Sequence, residues 1–155
     1  MQKGYLIFAG LLVLAYAATT IADDDSVTSV CQSENELWGG PDIRKYYFCL
    51  NGAVISNDCD PGTYFVNNAT VSGCLAGNLI NSSCVNSDVS EPDCTGNNAY
   101  YPQPCEDPSQ YYLCTDDGPK QLTCWNSGAF VNHEGYLGCT TWSEWRKISN
   151  CSLDS

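Results

Sequence analysis

Tyr46-Tyr47-Phe48-Cys49 recurs as Tyr111-Tyr112-Leu113-Cys114, shifted by 65 positions. With nine residues between, each of these cysteines is followed by another, Cys59 and Cys124. With fourteen residues between, Cys74 and Cys139 come next, each preceded by glycine (Gly73, Gly138). Between them Phe65-Val66-Asn67 matches Phe130-Val131-Asn132, again 65 apart. A constant offset over so many positions is the mark of an internal repeat. The outer cysteines follow with small slips: Cys31 matches Cys94 at 63, and Cys84 matches Cys151 at 67. One cysteine has no counterpart, since Gly40 stands where the second copy has Cys105.

Two copies result, over residues 28–86 and 91–153, joined by a short polar stretch from Val85 to Asp93 that carries Pro92. All 11 cysteines fall after residue 30. Such density marks a disulfide scaffold, because thiols persist oxidised outside the reducing cytosol. A module of this size buries only about 60 per cent of its chain surface on folding, marginal for an apolar core alone. A bridge closing about 15 residues contributes roughly 3 kcal/mol on the chain-entropy model, which supplies what the core lacks.

Local patterning reads as β and loop. Tyr46 to Leu50, Ala53 to Ser56 and Thr63 to Val66 are short aromatic and β-branched runs, expected as strands. Asn51-Gly52 is a two-residue hairpin signal, and Asp116-Asp117-Gly118 takes its place in copy two. No stretch shows an apolar period of 3.6 over three turns. The fold class expected is a small disulfide-rich β protein of short antiparallel strands and loops.

Residues 1–22 read as a signal peptide. Lys3 precedes an apolar run from Tyr5 to Leu14, and Asp23-Asp24-Asp25 opens the polar chain after a cleavage site at Ala22. The run is short of the roughly 20 residues a membrane span needs, with a retained anchor as the alternative. Three sequons, at Asn68, Asn81 and Asn150, agree with export. The acidic balance, 18 Asp and Glu against 6 Lys and Arg, argues against nucleic acid and anionic membrane as partners.

The Tyr-Tyr-x-Cys element, the nine-residue gap, the Gly-x-x-Phe-x-x-Asn stretch and the flanking cysteines resemble the type-2 chitin-binding, or peritrophin-A, domain of invertebrates. The resemblance covers both copies. It implies two tandem hevein-like modules that bind chitin, an N-acetylglucosamine polymer, in an extracellular matrix such as a peritrophic lining or cuticle. It also implies a pairing of Cys31–Cys49 and Cys59–Cys74 in copy one, and Cys94–Cys114, Cys105–Cys151 and Cys124–Cys139 in copy two. Cys84 is then left over, free or joined to a second chain as a covalent dimer. A rearranged copy one, with Cys31–Cys84 and Cys49 left over, is the alternative.

Sugar binding by a rigid module needs exposed rings to stack on a pyranose, with a few polar groups to hold its hydroxyls. Alternation along the strand puts Tyr47 and Tyr112 on the face of Cys49 and Cys114, and Tyr46 and Tyr111 on the opposite, outer face. The outer pair are candidate ligand residues, although all four rings could equally be core. Phe65 and Phe130 are expected in the core. Tyr136, Trp142 and Trp145 complete the candidate set, where the family commonly places a ligand-facing ring. The single histidine, His133, stands where copy one has Asn68 and forms no triad or zinc set alone. No catalytic set, metal site or cofactor is expected. A protein-interaction scaffold or protease inhibitor on the same fold is the alternative function, with an antimicrobial protein disfavoured by the acidity.

Overall fold

The computed structural model describes residues 30–153; the expected signal peptide lies outside them. The chain forms β1 (Leu37–Gly39), β2 (Lys45–Leu50) and β3 (Ala53–Asp58), an antiparallel sheet in that order. A separate hairpin follows, β4 (Thr63–Asn67) with β5 (Ser72–Ala76). The same series then recurs as the sheet β6 (Gln103–Pro104), β7 (Gln110–Thr115) and β8 (Gly118–Thr123), and the hairpin β9 (Ala129–His133) with β10 (Tyr136–Thr140). Asn51 and Gly52 turn the first hairpin with positive φ at both positions (51° and 76°), as a tight two-residue loop requires.

The repeat extends to single hydrogen bonds. Phe65 N donates to Ile43 O, and Phe130 N to Pro108 O, both at 2.7 Å. Cys59 N donates to Arg44 O, and Cys124 N to Ser109 O, both at 2.8 Å. Gly39 faces Tyr46 in register, and Pro104 faces Tyr111, so Gly40 and Cys105 are structural equivalents.

Side-chain alternation sends the two faces of each hairpin to different tasks. Phe65 and Phe130 turn toward the three-stranded sheet of their own half, and both are buried. Tyr64 and Val66 of the first half, with Ala129 and Val131 of the second, turn the other way into one cluster that includes Ile43, Val85 and Leu153. The halves therefore share a core. Val85, read from sequence as the first residue of a polar linker, is buried in it.

Trp142 and Trp145 belong to this core and are only 3% and 4% exposed, which corrects their assignment as ligand-facing rings. They lie on one face of α1 (Trp142–Ser149), a helix that packs on β9. Thr141 caps its first turn by accepting from Glu144 N at 3.3 Å, and Asn150 ends it in the left-handed region. The two indoles meet edge to face at 5.3 Å, and Trp142 Nε1 donates to Ser127 O at 2.7 Å. Gly128 is required beside them, because a Cβ there would stand 2.3 Å from Thr140 O.

Four bridges lie within the halves: Cys31–Cys49, Cys59–Cys74, Cys94–Cys114 and Cys124–Cys139. The fifth does not. Cys84 joins Cys151, with Cα atoms 4.8 Å apart, and Cys105 is the free thiol. The implied pair Cys105–Cys151 is thus absent, Cys84 is neither unpaired nor available to a second chain, and the rearranged copy one does not occur. The reason is the packing of the halves. Their equivalent C-terminal segments run together, where Ser83 Oγ also donates to Asn150 O at 3.3 Å. Closing 67 residues contributes about 4 kcal/mol on the chain-entropy model.

Across the same junction Arg44 connects the halves. Its Nε and Nη2 donate to Oδ1 and Oδ2 of Asp42, both at 2.9 Å, and its guanidinium lies 5.0 Å from the centre of the Trp142 ring. Burial alone would lower the Arg44 pKa, but the bonds and charge of Asp42 outweigh it and leave it raised.

Four outcomes follow from this packing. Trp142→Ala is expected to destabilise the whole chain by about 3 to 5 kcal/mol in denaturant melts, the usual cost of truncating a buried indole. Arg44→Ala is expected to cost about 1 to 3 kcal/mol, and Arg44→Lys not to restore it, because an ammonium cannot make the two-pronged bond to Asp42. For the cysteines, burial and then the Asp107 charge push the Cys105 thiol up to about 11. At neutral pH it is protonated and 6% exposed, so a thiol reagent is expected to label it only after unfolding. Peptide mapping without reduction should recover Cys84 linked to Cys151; recovery of Cys105 linked to Cys151 would contradict the packing described.

Candidate functional site

Each half carries one aromatic stack built the same way. Tyr46 of β2 lies on Phe65 of β4 with ring centres 5.2 Å apart and planes 17° from parallel. Tyr111 of β7 lies on Phe130 of β9 at 5.2 Å and 18°. The phenylalanines are held from the side: Phe65 pairs in register with Cys74 and Phe130 with Cys139, and both cysteines are bridged. Tyr46 is fixed further by its hydroxyl, which accepts from Asn57 Nδ2 at 3.1 Å across the β2–β3 pair. Tyr46 and Tyr111 are thus half-buried rings on a rigid backing. They are not the bare outer face expected from alternation, because that face of each sheet is the one that meets the neighbouring hairpin.

The other tyrosines of the doublets differ from expectation in the opposite sense. Tyr47 and Tyr112 share the face of the bridged cysteines but are only half-buried. Tyr47 stacks at 6.0 Å on Trp38, its partner in register on β1. Gln103 takes the place of Trp38 in the second half. The Tyr47 hydroxyl is shifted up, chiefly by burial and against the pull of Lys45.

Tyr136 is 43% exposed at the end of the β9–β10 hairpin, opposite His133. Alternation puts it on the face of that hairpin away from Phe130, so Tyr111 and Tyr136 do not share one surface. Of the five rings expected at a ligand, two are stacked platforms, one is exposed, and two are core. Sequence reasoning missed Trp125, which is 62% exposed. It opens a tight turn in which Asn126 and Ser127 both take positive φ (51° and 53°). Its equivalent in the first half is Asp60, so no repeat signal marked it.

The polar groups gather elsewhere, at the junction of the halves. A cavity of about 400 Å³ is lined there by Arg44, Lys45, Asp58, Tyr64, Asp107 and Gln110 among others. Lys45 Nζ donates to Asp58 Oδ1 at 2.7 Å, and this bond raises the lysine pKa. His133 is exposed on β9 and lies 3.6 Å from Glu134. Among the described residues no group of three or more His, Cys, Asp or Glu side chains is placed to hold a metal ion, and no helix is long and apolar enough to cross a membrane. At the sequons, Asn81 and Asn150 are exposed. Asn68 is half-buried and closes the β4–β5 loop, its Oδ1 accepting from Thr70 N at 2.9 Å and Val71 N at 3.0 Å. Comparison with known proteins finds no family model and no curated protein that matches the chain.

Proposed function

We propose that this is a secreted, non-catalytic chitin-binding protein of an extracellular matrix, with two divergent peritrophin-A-type copies. The observation that carries the reading is the duplicated stack, Tyr46 on Phe65 and Tyr111 on Phe130. A flat ring, half-exposed and locked against a disulfide-flanked phenylalanine, meets a pyranose at little cost in side-chain entropy. Two such platforms on one rigid body suit a repeating polymer, whose second contact is made at high effective concentration. Five disulfides accord with an oxidising, extracellular setting. Trp142 and Trp145 act here through folding, holding the halves in register, and not through contact with sugar.

Retention on chitin beads tests the proposal. Tyr46→Leu and Tyr111→Leu keep an apolar cover on each phenylalanine while removing the flat ring. Each single change is expected to weaken retention about tenfold or less, at roughly 1 kcal/mol per stacking ring. The double variant is expected to lose the avidity of two sites and wash off at concentrations that leave the wild type bound. Retention of the double variant equal to that of the wild type, with unchanged circular dichroism, would remove these rings from the site.

A further inference from the structure

Among the described residues Tyr64 is the most deeply buried tyrosine, 1% exposed; its hydroxyl makes no hydrogen bond to any described group, and its oxygen is not sealed from solvent-accessible space. Buried phenols ordinarily find a partner. The Tyr64 ring lies beside Gly77, and the charges nearest its hydroxyl in effect are Asp107, Glu106 and Arg44. Burial, then those two carboxylates, raise its pKa, so the phenol stays protonated.

Tyr64 also lines a second cavity of about 340 Å³, which shares Tyr64, Asp107 and Gln110 with the first. Glu106, Tyr112 and Gln121 complete the part of its wall that bears on a ligand, and neither lysine nor arginine lines it. In the adjoining cavity both cations are already matched, Arg44 by Asp42 and Lys45 by Asp58. Asp107 uses Oδ1 to accept from Ser109 N and Oγ, both at 2.8 Å, which leaves Oδ2 uncommitted. Glu106 makes no ion pair or hydrogen bond with the described residues. Gln121 Nε2 donates to Gln110 Oε1, fixing the amide wall.

We propose that this cavity binds the protonated amine of a glucosamine residue, so that the protein favours partly deacetylated stretches of its polymer. The proposal rests on the polysaccharide reading above and adds a site that neither half makes alone. An ammonium offers three donors, and three residues that line the cavity carry acceptors for it: the Tyr64 phenol, the exposed Glu106 carboxylate and Asp107. Charge-assisted bonds of this kind offset the loss of the amine's hydration. An N-acetyl group has no charge to set against the two carboxylates, and an anion is repelled by them. Half-buried Tyr112 and the glutamine amides are at hand for the ring and its hydroxyls.

Calorimetric titration of the full chain with a glucosamine tetramer and with the N-acetylglucosamine tetramer tests the assignment. The deacetylated tetramer is expected to bind about tenfold tighter, and Glu106→Gln and Tyr64→Phe each to lower that affinity about five- to tenfold. Binding of the acetylated tetramer is expected to stay within about twofold. The paired change Asp116→Asn with Asp117→Asn, in the β7–β8 turn, controls for general attraction of a polycation to an acidic protein. Equal affinity for the two tetramers, an unchanged Glu106→Gln variant of wild-type melting temperature, or an equal loss in the turn variant would overturn the site. Failure of the wild type to hold chitin beads sinks the polysaccharide reading by a separate measurement.

Discussion

One packing contact governs the molecule: the face of the first hairpin that carries Tyr64 and Val66 meets that of the second, with Ala129 and Val131. A half of about 60 residues is marginal for an apolar core of its own. At equivalent positions the first half offers a large ring, Tyr64, and the second a methyl group, Ala129. The space on the second side is occupied by the indoles of α1, and Arg44 covers one of them from the first side. An interface between like surfaces brings equivalent residues together, as in a two-fold dimer. The bridge between Cys84 and Cys151, last cysteines of their halves, is what that arrangement yields.

This contact decides what remains outside. Because the Tyr64 and Ala129 faces are used between the halves, the Phe65 and Phe130 faces serve each half separately and support Tyr46 and Tyr111. The same junction leaves a polar groove where the β2–β3 and β7–β8 sheets approach it, lined from both sides. The free thiol fits the same logic. Cys105 sits at the position of buried Gly40, sealed by burial, while the partner that the resemblance implied for it is drawn into the bridge between halves.

Much of this was legible in the residues. The 65-residue offset predicted the strand series twice, Asn51-Gly52 marked its turn, and Phe65 and Phe130 read correctly as core. What was not legible depended on contacts between the copies. A repeat seen in sequence says that two units are alike, not that they share a core, so Trp142 and Trp145 read as ligand-facing rings. The helix that carries them has only eight residues, too short for a periodicity window. Its one local sign was Thr141 three residues before Glu144, a capping pattern. Disulfide partners could not follow from spacing, since six cysteines alone allow 15 connectivities. The exposure of Tyr46 and Tyr111 was overestimated because alternation gives opposite faces without saying which of them a hairpin will cover.

Cooperativity is the direct measure of a shared core. In scanning calorimetry of the full oxidised chain, two halves with one core must melt in a single transition, with van't Hoff and calorimetric enthalpies agreeing within error. Near-ultraviolet circular dichroism should lose the signals of both halves over the same interval. Two resolved transitions, or a van't Hoff enthalpy near half the calorimetric one, would contradict the shared core.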